Sequence, residues 1–182
     1  MFFTRIDFEE KMQLIKKHQQ MKVWRPSEEN FGAQKDILSL LMTQEQGQYC
    51  WPQGFAFDQN YHDHITFDKA DAKLYKESMD KMEHLRRVVK TLIDNQDGNE
   101  VYMTYGCDFA FTQAEINYFF LDRVIKHWNT IYPDVELIYS NPNKFMQKVK
   151  KTNDEFIAAA PKNPQSLSQG FALRRDDAFP YS

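Results

Sequence analysis

Apolar and polar positions alternate between two periods along the chain. Phe8, Met12 and Ile15 recur at helical spacing behind a capping-box-like start at Asp7 and Glu10, which predicts an amphipathic helix to about Met21. From Ala70 to about Asp94 the residues Leu74, Met79, Met82, Leu85, Val89 and Leu92 hold the same period, and Asn95-Gln-Asp-Gly98 stops it. Thr112-Gln-Ala-Glu115 reads as a capping box for a further helix carrying Ile116, Phe119, Phe120, Val124 and Trp128. Asn141-Pro142 supplies an N-cap and a first-turn proline for the next one. Short apolar runs at Phe2-Phe3-Thr4, at residues 100–105 and at residues 135–140 read as strands. Strand and helix in alternation predict α/β architecture with a parallel sheet. Such a sheet needs cover on both faces, so three strand-helix units make a thin domain.

Residues 26–69 hold no sustained period, and a stretch this long inside a compact domain is functional or disordered. Its aromatics Tyr49, Trp51, Phe55 and Phe57 argue for order. Residues 158–169, rich in Ala, Pro, Ser and Gln, read as a linker or surface loop. With 182 residues one domain is expected, and aromatics at 15% demand a large interior or a large partner surface.

The net charge of -3 is dispersed, which offers nothing to a nucleic acid or an acidic membrane. No apolar run reaches the roughly 20 residues of a membrane span. The N-terminus lacks the apolar core and cleavage site of a signal peptide. Cys50 and Cys107 are too few for a disulfide framework or a structural zinc site, which leaves the redox compartment open.

The segment Val101 to Phe109 reads as a buried strand that Gly106 breaks just before an acid, Asp108. Catalytic groups of β/α barrels collect at such strand ends, although an aspartate there also suits a turn or a helix cap. Asp176 and Asp177 would couple their titrations if held close, or form a solvated acidic turn. His62-Asp-His64 has the spacing that places two imidazoles on one side of a strand, with no third ligand to assign. Cys107 has no histidine close in sequence to activate it as a nucleophile.

Several segments resemble, in order, the lysosomal-type α-mannosidases of glycoside hydrolase family 38. They are Phe2-Phe-Thr-Arg-Ile-Asp-Phe8, Trp24-Arg-Pro-Ser27, Tyr49-Cys-Trp-Pro-Gln-Gly-Phe55, Met103-Thr-Tyr-Gly-Cys-Asp-Phe109, Leu137-Ile-Tyr-Ser-Asn-Pro142 and Asp176-Asp-Ala-Phe-Pro-Tyr181. The resemblance implies part of a seven-stranded β/α barrel, with residues 1–182 as a single partial catalytic-domain segment. It implies a retaining glycosidase that removes terminal α-mannose from glycans with a zinc ion and two carboxylates. Carried over by position, Asp108 is the general acid/base, Arg5 lies near the scissile sugar, and Tyr49 hydrogen-bonds substrate. Cys107 stands where the family has serine or aspartate, Thr4 where it has glycine, and Ala178 where it has phenylalanine.

The family's zinc ligands and its nucleophilic aspartate find no match here. By the resemblance they precede Met1 or follow Ser182. The expectation is therefore a fragment or truncated product that needs the remainder of the barrel, with mannose-containing glycans as ligands and a lysosomal or secretory-lumen setting. The alternative is a remnant without catalysis that binds carbohydrate or a partner barrel through the aromatics between Tyr49 and Phe57.

Overall fold

The structure, a computed structural model, describes residues 2–3, 6–24, 30, 37–42, 50–95 and 99–152. They divide into two compact units.

The first unit comprises Met1–Gln48, Leu92–Tyr102 and Pro142–Ser182. Strand β1 is Phe2–Phe3, helix α1 is Phe8–Lys16, β2 is Met21–Trp24 and β3 is Ile37–Leu41. β3 is the middle strand: β1 runs parallel to it with Phe2 opposite Leu40, and β2 runs antiparallel with Met21 also opposite Leu40. The cap at the start of α1 forms as the sequence predicts, with the Asp7 carboxylate accepting from the Glu10 N–H at 3.1 Å. The helix stops earlier than Met21. His18 takes a φ of 53°, and the N–H groups of His18 and Gln19 return to the carbonyls of Ile15 and Leu14 at 3.0 and 2.8 Å. That reversal frees residues 21–24 to pair as β2.

Behind the sheet, Leu40 packs with Phe145 and Val149 of the helix Pro142–Thr152. The rings of Phe2, Tyr102 and Phe145 join them, with centroids 4.9 to 6.3 Å apart. Ile6, Leu14 and Leu41 form a second small cluster. The Gln20 side chain, almost fully buried, donates to the Asn95 carbonyl.

The second unit comprises Tyr49–Thr91 and Met103–Asn141. It holds most of α2, Ala72–Asn95, and all of α3, Ala114–Ile131; Pro142–Thr152 is accordingly α4. Met82, Leu85 and Val89 of α2 meet Phe120, Val124 and Trp128 of α3, as their helical spacing predicts. Phe55, Phe57 and Ile65 complete this core. The stretch before α2 is thus ordered by its aromatics, and Phe57 is 1% exposed.

Two expectations are corrected. Residues 100–105 and 135–140 join no strand ladder among the described residues, and the sheet that forms is mixed in direction. At 135–140 helix α3 supplies the missing partners. The Asn129 amide accepts from the Leu137 N–H at 2.8 Å and donates to its carbonyl at 2.9 Å, while the Trp128 Nε1–H donates to the Val135 carbonyl at 2.7 Å. Backbone groups satisfied by side chains no longer require a neighbouring strand.

Candidate active site around Asp108

Asp108 sits at the tip of a turn whose backbone is unusual on both sides. Gly106 before it has φ 123°, a conformation open to glycine, while Phe109 and Phe111 after it stand at φ 61° and 66°. Left-handed geometry at two bulky aromatic residues costs free energy, and such outliers concentrate at functional sites. The Ala110 N–H closes the turn on the Cys107 carbonyl at 3.1 Å. The Phe111 ring lies against Gly106, where a Cβ would come within 2.6 Å of it, and its edge meets the Tyr105 ring at 5.9 Å. Asp108 itself is exposed, and Phe109 is 91% exposed.

The segment 50–59 holds this turn from one side. Cys50 and Cys107 form a disulfide, the Trp51 N–H donates to the Gly106 carbonyl at 2.9 Å, and the Gln59 amide donates to the Asp108 carbonyl at 3.3 Å. From the sequence neither Cys50 nor Gln59 had a role at the Asp108 turn, and the two cysteines judged too few for a disulfide framework form a single link. The signal for the pair was that both cysteines of the chain fall within quoted motif segments, one in each.

A second carboxylate, Asp58, lies beneath the turn. It accepts from the Thr112 hydroxyl and the Gln113 N–H, each at 3.5 Å, and from the Asn117 side chain. Burial pushes its carboxyl up, but those hydrogen bonds outweigh burial and hold it below the ordinary aspartate range. Asp58 therefore caps α3. The capping box expected at Thr112 does not form, since Gln113 is the N-cap residue and makes no side-chain cap bond. Asn117, 2% exposed, also lies 2.6 Å from the Tyr105 hydroxyl, whose oxygen is 3.0 Å from the Phe55 carbonyl. Burial first, then the charge of Asp58, pushes the Tyr105 phenol up, so it stays a neutral donor. The support thus runs continuously from the core to the turn: Phe55, Tyr105, Asn117, Asp58, α3.

A cleft of about 520 Å³ opens in the same unit, lined by Trp51, Asn60, Asp63, Asp80, Lys81 and His84 among others. The Lys81 ammonium donates to the His62 carbonyl at 2.6 Å and lies 3.8 Å from Asp63. Burial pushes the Lys81 amine down, against the pull of Asp63 and Glu77. Asp108 is not among the lining residues.

Of the other residues proposed from sequence, only His62 and His64 fall among the described residues. Arg5, Tyr49, Asp176 and Asp177 lie outside the described residues. His62 falls in a single 3-10 turn, Tyr61–Asp63, and His64 packs on the Phe120 ring at 4.7 Å. Among the described residues no group of three or more His, Cys, Asp or Glu side chains is placed to hold a metal, and both sulfurs are engaged in the disulfide. Among the described residues zinc therefore finds no donor set.

Residues 1–182 match the N-terminal domain of glycosyl hydrolases family 38. The chain is also similar to lysosomal alpha-mannosidase of Dictyostelium discoideum, 25% identical over 182 residues that cover 98% of this chain and 16% of that protein. The chain spans about one sixth of that relative's length. With a whole-length match to one domain family, the chain belongs to glycosyl hydrolases family 38, within the N-terminal domain.

Proposed function

We propose that this chain is part of an α-mannosidase, a retaining glycoside hydrolase acting on terminal α-mannose of glycans, and that Asp108 is its general acid/base. The observation that carries this is the Asp108 turn: an exposed carboxylate on a backbone held in costly geometry, within a family 38 domain. In the first half-reaction Asp108 would give its proton to the departing glycosidic oxygen. In the second, as carboxylate, it would take a proton from the incoming water. The attacking carboxylate and the zinc of the family are proposed to come from the remainder of a β/α barrel to which this segment contributes. Arg5 and Tyr49 are proposed to contact the sugar. A lysosomal or secretory-lumen setting agrees with the disulfide, which persists in oxidising compartments.

The test is turnover of a mannobioside, whose poor leaving group needs the proton, by the chain together with the remainder of its barrel. Asp108→Asn is expected to lower kcat by about 10² to 10⁴. In Asp108→Ala, azide is expected to restore release from an activated aryl α-mannoside, because an anionic nucleophile needs no base. Unchanged kcat in Asp108→Asn would remove the assignment.

A second proposal, sugar binding without turnover, is narrowed by the fold. Phe55 and Phe57 are buried in the core and offer no platform, which among the described residues leaves Trp51 at the edge of the polar cleft, with Tyr49 outside them. Binding lost in Trp51→Ala and untouched in Asp108→Asn, with no turnover, would favour it.

A further inference from the structure

The turn that presents Asp108 works against its own backbone preferences. Phe109 and Phe111 both occupy the left-handed region, and Phe109 is turned out to solvent at 91% exposure, so its side chain contributes little packing. Beside the packing of Phe111 on Gly106 and Tyr105, restraint arrives from the segment 50–59. The Gln59 amide on the Asp108 carbonyl is an exposed bond that water can replace. The Trp51 N–H on the Gly106 carbonyl acts before the acid. The Cys50–Cys107 link is covalent, is attached at the residue next to Asp108, and shares its neighbour Trp51 with that second bond.

We propose that the Cys50–Cys107 disulfide is a positioning element for Asp108, so that turnover depends on its oxidation state. The consequence for turnover rests on the glycosidase assignment of Asp108. A dithiol such as dithiothreitol delivers two electrons and two protons to the pair: the sulfur–sulfur bond breaks, each cysteine becomes a thiol, and the reagent closes to its own disulfide. The two sulfurs then part to van der Waals distance or beyond, and the Asp108 turn is released toward geometries its phenylalanines prefer. Asp108 still reaches solvent, but its carboxyl no longer returns to one place relative to the 50–59 segment. A misplaced acid costs the chemical step more than it costs binding.

The experiment uses the chain together with the remainder of its barrel and compares the oxidised protein, the same protein after dithiothreitol, and Cys50→Ser with Cys107→Ser. Turnover of a mannobioside is read beside amide exchange. On reduction kcat is expected to fall about tenfold or more while KM stays within about twofold. The Trp51 and Ala110 amides are expected to exchange about tenfold faster, while the Ala56 amide, bound to the Asp63 carboxylate at 2.9 Å, keeps its protection. Reoxidation restores both readouts in the unmutated protein. An unchanged kcat with both thiols free overturns the proposal. So does a loss of Ala56 protection in step with activity, which would make the link a support of the whole unit. Should the oxidised protein release no mannose at all, the glycosidase assignment fails separately. Exchange then decides alone: unaltered protection at Trp51 and Ala110 overturns the positioning role, and selective loss upholds it.

Discussion

Two side chains in the second unit carry buried polar atoms with no hydrogen-bond partner among the described residues, Asp58 Oδ1 and His127 Nε2. Both lose stability as pH falls, each in its own window. Asp58 is held below the ordinary aspartate range chiefly by hydrogen bonds that outweigh its burial. Its contribution to stability is therefore complete above the unfolded value of 3.8 and disappears as pH falls below it. Asp58→Ala, which removes the cap of α3, is expected to cost about 0.5–2 kcal/mol in urea unfolding at pH 7, and Asp58→Asn noticeably less. His127 is pushed down by burial, with its ring stacked on Phe67 at 3.7 Å. In this case the unfolded chain takes the proton first, so stability is full above the unfolded value of 6.5 and declines as pH falls through it. His127→Phe is expected to flatten the Tm-against-pH curve between pH 7 and 5, and an unchanged slope would exclude His127 as its source.

At the scale of elements, local signals were legible wherever the chain answers to itself. Asp7 with Glu10, the apolar period of α2, and the proline that opens α4 each specify a helix through contacts within a few residues, and each forms. Distant partners misled the reading. Thr112 and Glu115 spell a capping box, but Asp58, far away in sequence, takes the Gln113 N–H. Residues 135–140 carry strand composition, but Asn129 occupies the Leu137 backbone groups. β3 was hidden for a related reason, since five residues between unpatterned flanks become a strand through pairing on both sides. Asn129→Ala should cost about 0.5–1.5 kcal/mol, and a urea midpoint indistinguishable from the parent would show that water replaces the amide without loss. Of the candidate site, Asp108 stood out in the sequence behind Gly106, although the strand expected before it does not form among the described residues. The supports from segment 50–59 did not stand out, because their spacing from Asp108 follows no local period.

For the molecule as a whole, the informative quantity is the distance along the chain that the disulfide closes, 57 residues. A loop of that length removes conformational freedom from the unfolded chain worth about 4 kcal/mol in the loop-entropy estimate. Thermal unfolding of the oxidised and reduced chain, followed without substrate, should differ accordingly, and coincident midpoints would mean that the reduced unfolded state is already constrained. The second unit also exposes several large apolar side chains near its extended segments. Tyr118 and Tyr139 meet edge to face at 6.2 Å while each remains at least half exposed, and Arg123 covers one face of Phe119. Such surface suits cover by further protein.

The bond between positions 50 and 107 also makes a demand on heredity. Either cysteine alone is a liability, an unpaired thiol that in an oxidising compartment invites a wrong partner. A serine at 107 would have no use for a cysteine at 50. The two positions should therefore travel through descendants as one character, present together or absent together, and a lineage keeping Cys107 while losing Cys50 should have found another tether for its acid.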